Sequence, residues 1–212
     1  MKSELFAGLV EILAAAVISI AAVMTSWASF QSALWDGEQA ARYTEAGAAR
    51  IAAARAVTTA GQAETADLLM FQQWLGAEAN HQAGLKVFYR QRFRPEFAVA
   101  FEAWAATDPA HNPAAPSSPF AMPQYHPARL AQSQALQKQA DALFDEGQHD
   151  NDVSDCFVQV TVLLAIALFF GGISQTFKSP AIKTVLVGLA GAVCVFSAVQ
   201  LMHLPCLPLK GF

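Results

Sequence analysis

Five groups of side chains in this sequence have types and spacings that chemistry can use. Asp141, Asp145 and His149 recur at i, i+4 and i+8 in a helix-forming stretch. Two carboxylates and an imidazole on one face are a donor set for a divalent cation. Asp36 and Glu38 follow directly on an apolar run; repeated around an oligomer, they would form the carboxylate ring with which many cation pores select ions. Glu11 lies inside that run, where an ionised carboxylate is costly. It is expected either to pair with Lys178 or Lys183 as a membrane ion pair or to serve a proton or ion. Arg90, Arg92 and Arg94 are interleaved with aromatic residues, a patch for an anionic headgroup or an acidic partner. Cys156 and Cys206 fall at the same ends of two further apolar runs and would bridge if that side is oxidising.

Each group has a plainer alternative. Gly147 is expected to interrupt the helical register of the acidic set, and residues 151–155 also read as N-terminal capping of a new helix. Asp36 and Glu38 would equally solvate a helix at a membrane surface. The three arginines have Glu96 and Glu102 as local ion-pair partners, and Cys194, inside the last apolar run, is expected to be an inert packing residue. The chain carries no GxSxG, HExxH, P-loop, GxGxxG or CxxC pattern. Neither an enzyme nor a cofactor is expected.

The elements that must position these groups are helices in lipid. The chain is 54% hydrophobic and only 14% charged, with a mean hydropathy of +0.31; soluble domains carry about 25% charged residues. A net charge of −4 argues against nucleic acid as a partner, because phosphate binding needs a basic face. Three cysteines are too few for a disulfide scaffold or a structural zinc site. Residues 5–35 form an apolar run longer than the roughly 20 residues a membrane helix needs. It is too long for a signal-peptide core and lacks a small-x-small cleavage site, so an uncleaved anchor is expected. Residues 157–174 and 184–202 are two further spans, joined by a short link carrying Lys178 and Lys183 into an antiparallel pair over 153–203. Lys2 and these two lysines would share the cytoplasmic side. That places the N-terminus inside and residues 36–152 in the periplasm.

The fold class expected is therefore all-α: three transmembrane helices with a long extramembrane helical hairpin inserted between spans 1 and 2. Residues 38–75 are rich in alanine, the best helix former, with Glu38–Arg42 a favourable i,i+4 pair and Gly76 a candidate stop. Residues 129–148 return antiparallel to them. Leu68, Leu69, Met70, Phe71, Trp74 and Leu75 should form a cluster that receives Phe93, Phe97, Phe101 and Trp104. Pro95 marks a break or a helix start. Residues 107–127 contain six prolines, which leaves an extended loop, either a packed strap or a binding loop. Along the first span Ala15/Ser19, Ala21/Thr25, Ala22/Ser26 and Thr25/Ser29 place small residues four apart. Such stripes let helices approach closely in lipid, within the chain or between copies.

Phe30-Gln-Ser-Ala-Leu-Trp35-Asp-Gly-Glu-Gln39 after the first span, Arg92-Phe-Arg94-Pro-Glu-Phe97 in the insert and the closing two-span pair together resemble bacterial three-span membrane proteins grouped as a domain of unknown function. The resemblance covers most of the chain. It implies a bacterial inner-membrane location and transfers no catalytic residues. With the composition, it leads to the expectation of a non-enzymatic assembly or accessory subunit, partnered by the bilayer and by copies of itself or another membrane protein. The alternative is a homo-oligomeric cation channel with Asp36 and Glu38 at its mouth.

Overall fold

The computed structural model describes residues 2–208, and within that range the side chains of residues 2–5 and 7 are left undescribed. The orienting charge on Lys2 therefore lies outside the described residues. The described chain is all-helical, without strands. It comprises α1 (Lys2–Ala79), α2 (Ala83–Arg90), α3 (Pro95–Ala105), a single 3-10 turn at Pro119–Ala121, α4 (Ala128–Ser174) and α5 (Pro180–His203). Among the described residues α1, α4 and α5 are each long and apolar enough to cross a membrane, which points to a membrane protein.

Two sequence expectations about breaks are corrected. Gly76 does not end α1. The helix runs to Ala79, and His81, at φ 56°, supplies the left-handed residue that closes it. The His81 amide donates to Glu78 O at 3.0 Å and the Gln82 amide to Ala77 O at 2.8 Å, the Schellman pattern that satisfies a helix's last carbonyls. Nor does Gly147 interrupt α4, and no new helix is capped at 151–155; one helix runs through both. Pro95, in contrast, starts a helix. Arg94 before it is extended and the ring occupies the first position of α3, where its missing N–H costs nothing.

The chain divides into two compact units, residues up to 45 with those from 142 onward, and residues 46–141; the expected insert boundaries were 36 and 152. The first unit packs parts of α1 and α4 with α5. Its core is Ala21, Ala28, Val153, Phe157, Val160, Leu164, Ala167 and Cys194. On α1 the fully buried alanines are Ala14, Ala21 and Ala28, seven residues apart, a coiled-coil-like seam of small side chains. Cys194 packs in this core, its expected place. Gly171 sits against Ile18, so that a Cβ there would come within 2.7 Å of Ile18 Cγ1. Meanwhile Ile12, Val23, Phe169, Val185 and Val195 are exposed, as lipid-facing side chains would be.

The second unit is built on aromatic rings. Phe71, Phe93, Phe97, Phe101 and Trp104 form its core, with Met70, Trp74, Phe120, Met122 and Tyr125 packed against it. Ring centroids lie 4.9 Å apart for Phe93–Phe97 and Trp74–Phe101, the edge-on arrangement that ring quadrupoles favour. Of the cluster expected on α1, Phe71 is buried and Met70 and Trp74 take part, whereas Leu68, Leu69 and Leu75 stay exposed. Leu69 occupies the opposite helix face, whereas Leu68 and Leu75 flank the buried stripe at its edge. The proline-rich stretch is a packed strap. Pro119 is buried, Phe120 stacks on Phe97 at 5.0 Å, and Trp104 Nε1 donates to Pro116 O at 2.8 Å.

Candidate functional site

Three polar constellations interrupt these apolar cores. The first is a ladder between α1 and α4 in the first unit. On α1, residues 31, 32, 35, 39 and 42 fall on one face of the 3.6-residue repeat. Ser32 and Ser154 hydroxyls lie 2.9 Å apart, both buried. Gln39 Nε2 donates to Asn151 Oδ1 at 2.8 Å and Arg42 Nε to buried Asp150 at 2.9 Å. Arg42 also pairs with Glu146. Gln31, fully buried, exchanges both bonds of its amide with Leu207: Nε2 donates to Leu207 O at 3.1 Å, and the Leu207 amide donates to Gln31 Oε1 at 2.9 Å. Trp35 Nε1 donates to Pro205 O at 3.1 Å. The residues after α5 are thereby fastened to α1.

This ladder decides what the acidic residues around it can do. Arg42 stands among Asp150, Glu146 and Glu38, which together hold its guanidinium further up in pKa, the hydrogen bond to Asp150 contributing most. Asp36 is exposed and Glu38 half-buried. Of the two carboxylates expected at a mouth, Glu38 thus shares the surroundings of Arg42. Gly147 also belongs here. A Cβ at this position would lie 2.6 Å from the Tyr43 ring, and Tyr43 stacks on Phe144 at 5.2 Å. The glycine that looked like a helix breaker is a point of close helix approach.

The expected metal set does not assemble. Among the described residues no three His, Cys, Asp or Glu side chains are grouped to hold an ion. Eight helical residues rise about 12 Å, too far for Asp141 and His149 to share one cation, and Asp141 accepts from Gln137 at 2.9 Å and pairs with Arg50 at 3.8 Å. The expected disulfide is absent as well, since Cys156, Cys194 and Cys206 are free thiols. Cys206 is held exposed in the segment that Gln31 and Trp35 fasten to α1, whereas Cys156 is half-buried on α4.

The second constellation lies at the start of α5. Lys183 Nζ donates to Glu11 at 2.8 Å, so the membrane ion pair forms with Lys183 and not with Lys178. Lys183 is largely covered and Glu11 largely exposed. Beside the pair is a cavity of about 300 Å³ lined by Glu11, Gln175, Phe177, Lys178 and Lys183, among others.

The third, in the second unit, was not foreseen. Asp67 on α1 is only 2% exposed. Arg94 grips it bidentately at 2.9 and 2.8 Å, and Tyr125 donates to it at 3.3 Å. Asp67 holds the Arg94 guanidinium up in pKa, chiefly through this hydrogen bond. Burial, followed by the Asp67 charge, pushes the Tyr125 phenol up to about 12. The arginine patch is dissolved by these bonds. Arg94 is committed to Asp67, and Arg90 grips Glu102 bidentately at 2.7 and 2.6 Å. Arg92 lies 3.5 Å over the Phe88 ring and donates to Phe88 O at 3.0 Å. Local pairing accounts for all three, with Asp67 the partner that sequence spacing did not indicate.

Comparison of the chain with protein-family models, with curated proteins and with solved structures finds no significant match to any of them.

Proposed function

We propose that the chain is a non-enzymatic integral membrane subunit that acts by helix–helix association with copies of itself or with a partner complex. The setting is a bacterial inner membrane, with the N-terminus cytoplasmic and residues 36–152 periplasmic. One observation carries this reading. Ala15, Ser19, Ala22, Ser26 and Ser29 are all exposed on α1, spaced alternately four and three apart. The chain packs its own helices through the separate Ala14, Ala21 and Ala28 seam. A second small-residue seam facing lipid gains nothing from lipid tails but lets another helix approach closely.

The test is the mass of the purified protein in detergent, by light scattering, beside a pull-down from native membranes. A stoichiometry above one, or a retained membrane partner, is expected from the wild type. Ala22→Leu with Ser26→Leu should abolish it while helicity is kept. A monomer without a partner sinks the proposal. The alternative reading is a homo-oligomeric cation-conducting pore: Glu146 and Asp150 already pair with Arg42, so Asp36 and Glu38 would keep a net negative mouth.

A further inference from the structure

The cavity beside Glu11 and Lys183 does not stand alone. It shares Val10 with a second one of about 240 Å³, lined by Val10, Leu13, Val17, Thr184, Val187 and Gly188. The first is lined in part by the charged side chains of Glu11, Lys178 and Lys183, the second almost wholly by hydrocarbon. Both lie between α1 and α5, one after the other down the two helices. The polar part is where apolar helices α4 and α5 end and begin, at Ser174 and Pro180, the level at which membrane headgroups sit.

The charges at the polar end favour an anion. Lys178 and Lys183 face one carboxylate, Glu11, so the lining carries a net +1. Lys183 spends one ammonium N–H on Glu11 and retains two further donors. Lys178 is exposed and makes no ion pair among the described residues. The first turn of α5 adds to this, since Ser179 gives it no side-chain cap and its leading amides point toward the same end. Below, the groove is kept open by Gly188, where an added Cβ would meet nothing within 4 Å.

We propose that this α1–α5 crevice binds one anionic phospholipid, its phosphate between Lys178 and Lys183 and an acyl chain along Leu13, Val17, Val187 and Gly188. Basic pockets between membrane helices are suited to such headgroups. A free phosphate would use only the upper cavity and a neutral lipid only the lower; an anionic phospholipid uses both. The proposal rests on the helices lying in a membrane and is independent of the oligomeric state.

The experiment is native mass spectrometry of the full chain from detergent, loaded with phosphatidylglycerol or phosphatidylcholine. One phosphatidylglycerol per chain should be retained in preference to phosphatidylcholine. Lys178→Gln should weaken retention about fivefold, the effect of one basic residue near an anionic headgroup. Lys178 is the residue to change because Lys183 also holds Glu11. At Gly188 an added Cβ meets nothing within 4 Å, so Gly188→Leu should fill the groove and abolish retention while far-UV circular dichroism is unchanged. Millimolar inorganic phosphate should not displace the lipid. Equal retention of the two lipids would overturn the proposal. So would displacement by phosphate with Gly188→Leu indifferent, which would leave a simple anion site.

Discussion

At the scale of single residues, Asp67 carries the largest consequence. A carboxylate 2% exposed amid aromatic rings survives because Arg94 and Tyr125 replace the water it lost. Its partner is not equally trapped, for Arg94 remains about a third exposed. Removing the two members should therefore be unequal. Arg94→Met strands a buried charge and should cost about 3–5 kcal/mol. Asp67→Asn leaves an arginine that can turn to water and should cost about 1–3 kcal/mol. Denaturant unfolding followed by circular dichroism measures both, and an inverted order would refute the assignment. Tyr125 gives the pH dependence. Its folded pKa, about 12, lies above the ordinary tyrosine value near 10, so folding favours the protonated phenol. That stability is fully present below about pH 10 and is lost as pH rises toward 12. Phenolate absorbance should show one late-ionising tyrosine, removed by Tyr125→Phe.

Among the elements, α4 is the clearest case of packing overriding local signals. Its glycines have different work. At Gly171 a Cβ would press within 2.7 Å of Ile18, whereas at Gly172 it would meet nothing within 4 Å. Adjacent substitutions should thus have opposite signs. Gly171→Ala should destabilise by about 1–3 kcal/mol through overpacking. Gly172→Ala should be neutral or stabilise by up to about 1 kcal/mol from helix propensity. Ile18→Ala should restore much of the loss in the Gly171 variant, since it removes the atoms in conflict. Thermal unfolding in detergent would measure the series, and equal effects at both glycines would contradict the packing. The polar residues 151–155 on α4 resemble a helix start in sequence because capping and interhelical bonding use the same side chains. Gln39 and Ser32, about a hundred residues earlier in the chain, take Asn151 and Ser154 instead.

For the whole molecule, three helices long and apolar enough to cross a membrane point to the bilayer as its solvent. Three apolar helices with their large side chains outward would be unstable in water and satisfied in lipid. Together with Lys178 and Lys183 on one link, this leads to a topology prediction. Reporters fused at residue 100 and at residue 180 should land on opposite sides of the membrane, the second in the cytoplasm. Finding both in one compartment would refute the three-span topology.

Length and composition alone determined the helical class, the three apolar runs and the aromatic cluster around Phe93, Phe97 and Phe101. Each depends on neighbours within a few turns, and helix period and span length are local quantities. The partner of Glu11 was narrowed to two lysines because the short link between the last two spans carries both to the same end as Glu11. Only the tertiary structure chose Lys183 between them, joined Asp67 to Arg94, turned Gly147 from a break into a contact and fastened Leu207 to Gln31. Apart from the pair of largely exposed Glu11, those choices are made by side chains far apart in the chain meeting where water is scarce. Spacing along a sequence carries no record of such meetings, and burial leaves each polar group no alternative partner.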